Sequence, residues 1–426
     1  MEPELFLDTG VTAWMLVSAS LVLLMTPGLA LFYGGMTRSK SILNMMMMCF
    51  GALGVVGAIY VLWGWSMSYG ASVGGIFGNP FDQFGLGGNF DPVATLADEP
   101  VEMFGVEVMP YMPTIVDVGF QATFAIITVA LIAGSIADRV KYATWLVFAG
   151  LWATLAYFPM SHMVWGGGLL SGDGPFASIA EPIDFAGGTV VHINAGVAGL
   201  VLAYVVGKRK GWPGEAFKPH NLPLVMLGAA LLWFGWFGFN GGSAYGANED
   251  AGLAWVNTTT ATAGAILGWL LTEKIKYGKP TSLGAASGVV AGLVAITPAA
   301  GALNPVTSIV LGAIAGIASA LAVTLKTKLG YDDSLDVVGV HLVSGLVGTV
   351  LIGVLADDVG LIFGGGFSQL AVQIIIAVIA VVYSGVITLV IALVLKATMG
   401  WRIPEEDEVT GIDQTVHAER AYEGIA

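Results

Sequence analysis

The stretch His192–Gly199 reads HINAGVAG, and it has a counterpart in His341–Gly348, which reads HLVSGLVG. In each copy a histidine is followed by a glycine four residues later and by a second glycine three residues after that. Both copies lie in apolar stretches, where an ionisable side chain is costly and therefore points to function. Two such histidines in matching frames indicate a duplicated membrane fold with one polar pathway between its halves.

Composition supports a membrane protein. The 426 residues are 56% hydrophobic and only 11% charged, whereas a soluble chain carries about a quarter charged residues. Apolar runs long enough for a helical crossing, about 20 residues, recur along the whole sequence. We therefore predict an all-α polytopic membrane protein, since a transmembrane barrel would show short segments of alternating polarity.

Several classes of chemistry are absent from the sequence. Cys49 is the only cysteine, so neither an intrachain disulfide nor a thiolate metal cluster can form. There is no Walker loop, dinucleotide fingerprint or HExxH motif. We expect no cofactor, no bound metal, no nucleic-acid partner and no ATP-driven pumping. The acidic start at Met1 lacks the basic region of a secretory signal, so we expect the N-terminus to be retained.

Hydropathy predicts eleven transmembrane helices. They lie near residues 11–33, 44–68, 115–137, 143–165, 187–206, 221–240, 254–272, 282–299, 306–325, 337–356 and 368–396. The two histidine frames fall in spans 5 and 10, so the chain divides into spans 1–5 and 6–10. Because five is odd, the second half must be inverted relative to the first, a common plan among transporters.

The basic residues predict the orientation. With the N-terminus outside and the C-terminus inside, all 16 Lys and Arg fall on the inner side, as the positive-inside rule requires. They are Arg38, Lys40, Arg139, Lys141, Lys208, Arg209, Lys210, Lys218, Lys274, Lys276, Lys279, Lys326, Lys328, Lys396, Arg402 and Arg420. The acidic surplus lies largely in the outer loop 70–114, which includes Asp98. Such a face raises the local cation concentration.

The histidines lie well inside their spans. At about 1.5 Å per residue, His192 lies about 12 Å below Asp184, and His341 about 8 Å from Asp336 at the opposite side. Neutral imidazoles both donate and accept hydrogen bonds, so a pair can line a pore without net charge. The alternative is two unrelated core histidines. Asp184 and Asp336 have an alternative too, because aspartate at a helix start caps backbone N–H groups.

Aromatic residues recur at helical spacing. Phe120 and Phe124 lie four residues apart on one helix face, as do Phe239 and Ser243. Trp165 ends span 4 at the outer interface, where tryptophans are common. Spacing alone leaves lipid or core packing open for all of them; the functional alternative for Trp165 is a cation–π wall at a pore mouth.

Six motifs resemble those of the Amt/Mep/Rh ammonium transporter family, and the resemblance covers essentially the whole chain. They are PGLALFYGG at 27–35, FQATF at 120–124, HMVWGGG at 162–168, DFAGGTVVHIN at 184–194, WFGFNGGS at 236–243 and GVH at 339–341. The resemblance implies a multi-pass protein of the cell membrane, and a homotrimer with one pore in each subunit.

The resemblance also assigns roles to residues near the outer side. Trp165 and Phe124 would offer aromatic faces to ammonium, Ser243 would offer a hydroxyl acceptor, and Asp184 would support this outer site. Below it, Phe124 and Phe239 would form a stacked gate.

Deeper in the pore, the resemblance implies that His192 and His341 touch one another, with Tyr157, Trp236 and Thr297 around the conduit. Ammonium would lose its proton near the gate, and ammonia and the proton would be passed on separately, giving electrogenic uptake. Phe120 would be a flanking neighbour of the gate.

The chain divides into a transporter domain, residues 1–398, and a C-terminal tail, residues 399–426. The tail resembles the family's regulatory tail, which implies docking on the cytoplasmic face, coupling of subunits and a PII-type signal protein as a possible partner. Family tails often carry His-Gly-Glu where this sequence has His417-Ala-Glu.

Three other functions are open at this point. A near-neutral ammonia channel of the Rh type shares the histidines, although Trp165 and Ser243 favour the Amt branch. An ammonium sensor would have to signal through the tail alone, because no output domain follows span 11. A membrane enzyme would need a metal held by the two histidines with Asp184 and Asp336, and it is the weakest of the three.

Overall fold

The computed structural model describes residues 4–97, 99–103, 106–214 and 217–422. Asp98 of the acidic loop and the last four residues of the predicted tail lie outside this described part. Long helices dominate the fold, as predicted. We call the face with the loop 70–113 the outer face and the opposite, lysine-rich face the inner face, following the predicted orientation.

Ten of the predicted spans coincide with helices that are long and apolar enough to cross a membrane within the described residues. These are α1 (Thr9–Met36), α2 (Ile42–Tyr69), α3 (Thr114–Ile136), α4 (Tyr142–Trp165), α5 (Gly188–Val206), α6 (Leu222–Gly242), α8 (Ser282–Ala299), α9 (Pro305–Ala322), α10 (Val338–Leu355) and α11 (Ser368–Thr398). The predicted boundaries differ from these by a few residues at most.

The remaining predicted span, 254–272, lies in helix α7, Glu249–Tyr277. This helix has the length of a span but falls outside the apolar set, because it carries Asn257 and several threonines. Two of these residues bond across to other segments: the Asn257 amide donates to the Ala300 carbonyl at 2.9 Å, and the hydroxyls of Thr260 and Ser308 lie 2.6 Å apart. The count of eleven spans therefore stays a prediction.

Helix starts follow local sequence. Five of the long helices begin after a residue whose side chain accepts a hydrogen bond from a backbone N–H group of the first turn, which is the standard N-cap. These residues are Asp8, Asn221, Asn248, Thr281 and Asn304.

The helices pack in a repeated pattern. Within the first five, α1 contacts α2 and α3, while α2 contacts α3 and α4. The second five repeat these pairs, since α6 contacts α7 and α8, while α7 contacts α8 and α9. This is the pattern expected of a duplicated five-helix unit. Helices α1 and α6, the first of each half, also pack along one another.

A small β-sheet covers part of the outer face, and hydropathy did not anticipate it. Strand β1 (Glu4–Leu7) pairs in parallel with β6 (Val106–Pro113), and β4 (Val93–Thr95) and β5 (Val101–Met103) pair antiparallel with β6. A separate hairpin joins β2 (Ser72–Val73) to β3 (Phe77–Gly78). Strand β1 and the acidic loop therefore lie on the same face.

The inner face gathers basic residues from separate loops around buried carboxylates. Arg209 forms a bidentate pair with Asp332, and Arg38 contacts Asp138 at 3.3 Å. The capping alternative given for Asp336 is not what the structure shows. The carboxylate that accepts the first N–H groups of α10 belongs to Asp333. Asp336, at φ 63°, instead forms an ion pair with Lys326.

Candidate functional site

A cavity of about 730 Å³ opens on the outer face. Its lining includes Phe124 from α3, Trp165 from the end of α4 and Ser243, which follows α6. The Trp165 and Phe124 rings meet edge to face, with centroids 6.1 Å apart and planes at 86°. The Ser243 hydroxyl donates to the Phe239 carbonyl at 2.8 Å, which leaves the hydroxyl oxygen free to accept a hydrogen bond from the cavity.

Asp184 organises the wall of this cavity from a buried position. Its carboxylate accepts hydrogen bonds from the N–H groups of Gly187 and Thr189, both at 2.8 Å, and from Gly188. Its backbone carbonyl accepts the Trp165 indole N–H at 2.9 Å. Burial raises the pKa of the Asp184 carboxyl, while these donors oppose that shift. The carboxylate of Asp184 therefore has the capping role given as an alternative, and its backbone carbonyl positions Trp165.

Two stacked phenylalanines close the floor of the cavity. The Phe124 and Phe239 rings lie 4.0 Å apart with planes at 18°, and both are almost fully buried. Phe120 packs edge to face on Phe124 at 4.8 Å. A cation entering from the cavity would have to pass this stacked pair.

Below the phenylalanines lies a narrow lumen of about 10 Å³, lined by His192, His341, Trp236 and aliphatic side chains. This volume is about the space needed for one water-sized molecule. The Nδ1 atoms of the two histidines lie 3.4 Å apart. His192 Nε2 has no hydrogen-bond partner among the described residues, so it is available to a small polar molecule in the lumen.

Both histidines lie in π-helical turns, Gly188–Ile193 at the start of α5 and Val338–Leu342 at the start of α10. Such turns are rare and frequently occur at functional sites. The first glycine of each frame faces the other frame: a Cβ on Gly196 would meet Leu342 at 2.6 Å, and one on Gly345 would meet the Cβ of His192 at 3.1 Å.

The other residues predicted around the conduit differ in their placement. The Trp236 ring stacks on His192 at 5.5 Å and 16°, and its indole N–H donates to the Thr297 hydroxyl at 2.8 Å. Thr297 therefore contacts the lumen only through Trp236. Tyr157 is buried but lines neither the outer cavity nor the lumen.

The structure adds polar residues to the outer cavity that motif reasoning missed, chiefly Asp117, Gln121 and Tyr245. Asp117, Gln121 and Phe124 are spaced i, i+4 and i+7, so they share one face of α3. That spacing was readable in the sequence. The position of Tyr245, on a loop more than a hundred residues away, was not.

Comparisons with known proteins agree with this geometry. The model of the Ammonium Transporter Family matches residues 13–422. An ammonium transporter of Mycobacterium tuberculosis is 56% identical and covers 98% of this chain and 91% of its own length. The chain belongs to the ammonium transporter family. This confirms the resemblance drawn from the six motifs. It also confirms that the protein is a multi-pass membrane protein. Since this is a family of transporters, the prediction that the protein is not an enzyme is confirmed as well.

Solved family members share the fold. The structure of Saccharomyces cerevisiae Mep2 matches with a TM-score of 0.82 at 30% identity, covering 94% of this chain and 88% of that one. A protein named Sensor Amt Protein matches with a TM-score of 0.83 at 26% identity, covering 97% and 98%.

The tail of this ammonium transporter family member docks on the inner face. The Asp413 carboxylate accepts hydrogen bonds from the N–H groups of Leu43 and Asn44 at 3.0 and 2.8 Å, at the start of α2. His417 Nε2 lies 3.1 Å from the Asn44 amide oxygen. The short helices α12 (Glu405–Thr410) and α13 (Ile412–His417) carry these contacts.

Proposed function

We propose that this protein takes up ammonium across the cell membrane. In this proposal the cation is recruited at the outer cavity and loses its proton near the phenylalanine pair, and ammonia and the proton pass the two histidines separately. One arrangement carries the proposal: stacked Phe124 and Phe239 rings separate the outer cavity from a lumen lined by His192 and His341.

The outer cavity offers what a small cation that donates hydrogen bonds requires. The Trp165 and Phe124 rings present faces that attract a cation, and the Ser243 oxygen can accept one of its N–H groups because its own proton is used elsewhere. Potassium has a similar charge and size but donates no hydrogen bonds. Recognition through the Ser243 oxygen therefore favours ammonium.

The apolar gate is the reason why ammonium would give up its proton before it passes. Moving an intact cation into a low-dielectric passage costs tens of kcal/mol in an idealised medium, and among the described residues that line the lumen there is no carboxylate to balance its charge. Neutral ammonia avoids most of this cost. A lumen of about 10 Å³ also suits a molecule the size of water or ammonia.

The two histidines supply the proton path in this proposal. Their Nδ1 atoms lie within 3.4 Å, and an imidazole can accept a proton at one nitrogen while releasing one from the other. The stacked Trp236 ring keeps His192 in place. Proton and ammonia would recombine on the inner side, so one positive charge would cross for each ammonium taken up.

The test is the current across proteoliposome membranes after an ammonium pulse, with a potassium pulse as the control. We expect a saturable inward current for ammonium alone. The variant His192→Leu/His341→Leu should lose this current, because no proton path remains. An unchanged current in that variant would rule out the relay. Rapid internal alkalinisation of the wild type without current would favour the neutral ammonia channel instead.

Assembly and regulation complete the proposal. We propose a homotrimer in which each subunit has its own pore, and a tail that couples the subunits at the cytoplasmic face, where a PII-type protein would block the inner mouth. The support for the tail is its docking through Asp413 and His417 at the start of α2. A sensor that signals through this tail would bind ammonium without sustained current, so the same measurement separates it from a transporter.

A further inference from the structure

The outer cavity contains a polar group that the proposed outer site does not use. Asp117 lies in the first turn of α3 and lines the cavity. The Tyr245 hydroxyl donates to Asp117 Oδ1 at 2.8 Å, and the Gln121 amide donates to the Tyr245 hydroxyl at 2.7 Å. Gln121 is only 6% exposed. A chain of donors therefore runs from a buried amide to a carboxylate at the cavity wall.

This carboxylate differs from that of Asp184 in the same cavity. Both oxygens of Asp184 accept hydrogen bonds from backbone N–H groups, which use its acceptor capacity. Asp117 accepts through Oδ1 alone, and its Oδ2 has no hydrogen-bond partner among the described residues. The lining of the cavity includes no Lys or Arg within the described ranges. Asp173 and Glu181 also line the cavity. Asp117 is the one of these carboxylates that lies on helix α3, on the same face as Phe124, with an oxygen open to a cation.

Tyr245 is held in place at a conformational cost. Its φ is +52°, a backbone region that residues with a bulky side chain rarely adopt. Such a conformation persists only where the surroundings determine it. Here the Tyr245 N–H donates to the Gly242 carbonyl at 2.9 Å, and the ring packs on Phe120 at 5.9 Å and 83°. The loop after α6 thus fixes the hydroxyl that orients Asp117.

We propose that Asp117, oriented by Tyr245 and Gln121, is a further cation-recruiting residue, placed farther out than the site formed by Trp165, Phe124 and Ser243. This inference rests on the proposed function. Seven residues separate Asp117 from Phe124, or about 10 Å along the helix. Aromatic rings cover the interval, because Tyr245 packs on Phe120 and Phe120 on Phe124. An incoming cation would meet the carboxylate first and then aromatic faces.

The expected effect follows from Coulomb's law. Two unit charges about 10 Å apart, with effective dielectric constants between about 80 and 20, change an affinity by about twofold to about fifteenfold. This attraction is screened over a Debye length of about 10 Å at 0.1 M salt. Removing the charge of Asp117 should therefore raise the ammonium concentration for half-maximal current, chiefly at low ionic strength. The maximal current should not change.

The experiment compares ammonium currents of four variants with those of the wild type in proteoliposomes, at low and high concentrations of N-methylglucamine chloride. Asp117→Asn removes the charge, and Asp117→Glu keeps it. Glu102→Gln removes an equal charge from the exposed strand β5, outside the cavity. Tyr245→Phe removes the orienting hydroxyl and leaves the carboxylate.

We expect Asp117→Asn to raise the half-maximal ammonium concentration by about twofold to about fifteenfold at low salt. Asp117→Glu, which keeps the charge, should retain most of the wild-type affinity. Tyr245→Phe should keep the salt dependence of the wild type. An effect of Asp117→Asn no larger than that of Glu102→Gln would overturn the proposal, since only the general field of the outer face would then matter. Equal losses of affinity and of salt dependence in Asp117→Asn and Tyr245→Phe would also overturn it.

Failure of the proposed function would look different. If the wild type alkalinises the vesicle interior without current, the electrogenic mechanism fails. The half-maximal concentration of the alkalinisation rate then tests Asp117 in the same variants, with the same expected direction.

Discussion

Replacing Asp184 should separate the structural role of its carboxylate from a direct role in cation binding. The carboxylate lies where helix α5 begins, and it accepts the N–H groups of Gly187, Gly188 and Thr189 together with the Thr189 hydroxyl. Asp184→Ala would leave three backbone donors unsatisfied in a buried place. Asp184→Asn would keep one acceptor oxygen, but its amide group would face other donors.

The magnitude follows from the donors that lose their partner. A buried unsatisfied donor costs about 1–3 kcal/mol, so three of them make Asp184→Ala cost about 3–9 kcal/mol. About half of that loss is expected for Asp184→Asn. The Trp165 indole bonds to the backbone carbonyl of residue 184, so that hydrogen bond survives either substitution only if the local turn keeps its shape. We therefore expect the current to fall in step with stability.

Cys49 provides the assay, because it is the only cysteine and is fully buried. A dye that fluoresces on reacting with thiols reports unfolding when this thiol becomes exposed on heating. The unfolding temperature should fall from wild type to Asp184→Asn to Asp184→Ala, and the ammonium current should follow the same order. An Asp184→Ala protein with the wild-type unfolding temperature and no current would refute this reasoning, and it would assign Asp184 to the cation itself.

Three further predictions concern helix packing and the tail. A Cβ on Gly348 would collide with the Ala295 backbone, so Gly348→Ala should lower the free energy of unfolding by about 1–3 kcal/mol, seen as a lower unfolding temperature in the thiol-dye assay. The control is Gly54→Ala, whose Cβ meets nothing within 4 Å and should not lower the unfolding temperature. Ala418 has a φ of +54°, so Ala418→Gly should stabilise the docked tail by about 1 kcal/mol, seen as about fivefold slower proteolysis of the tail. Asp413→Asn should weaken docking by about 0.5–2 kcal/mol through loss of the cap, seen as faster proteolysis.

The helical part of the fold could be read from the sequence because each span carries its own signal. About 20 apolar residues suffice to predict a crossing, and the bounds of α1 and α11 show how close such predictions come. The outer sheet could not be read in this way. Its central ladder joins strand β1 to β6, about a hundred residues apart, and short strands of mixed polarity have no periodic signal that distinguishes them from a loop.

The candidate site likewise has residues that could be predicted from the sequence and residues that could not. Residues within one recognisable motif, such as Phe124 and Ser243, were found from the sequence. Asp117 was missed because its significance depends on Tyr245, which a loop with an unusual backbone conformation brings to it. Capping of α10 was the alternative given for Asp336, and Asp333 was missed for a related reason. Several aspartates precede the helix, and the turn geometry that selects one of them is not visible in composition.

The first glycine of each repeated frame determines how closely the two histidine-bearing turns approach each other. Gly196 lies against Leu342, and Gly345 lies against the Cβ of His192, so each glycine admits the backbone that carries the other imidazole. A methyl group on Gly196 would meet the Leu342 backbone at 2.6 Å, so we expect it to push the two π-helical turns apart and lengthen the 3.4 Å separation of the Nδ1 atoms. Helices in lipid approach closely where small residues face each other. In each copy, the glycine four residues after the histidine therefore lies where the two halves contact each other.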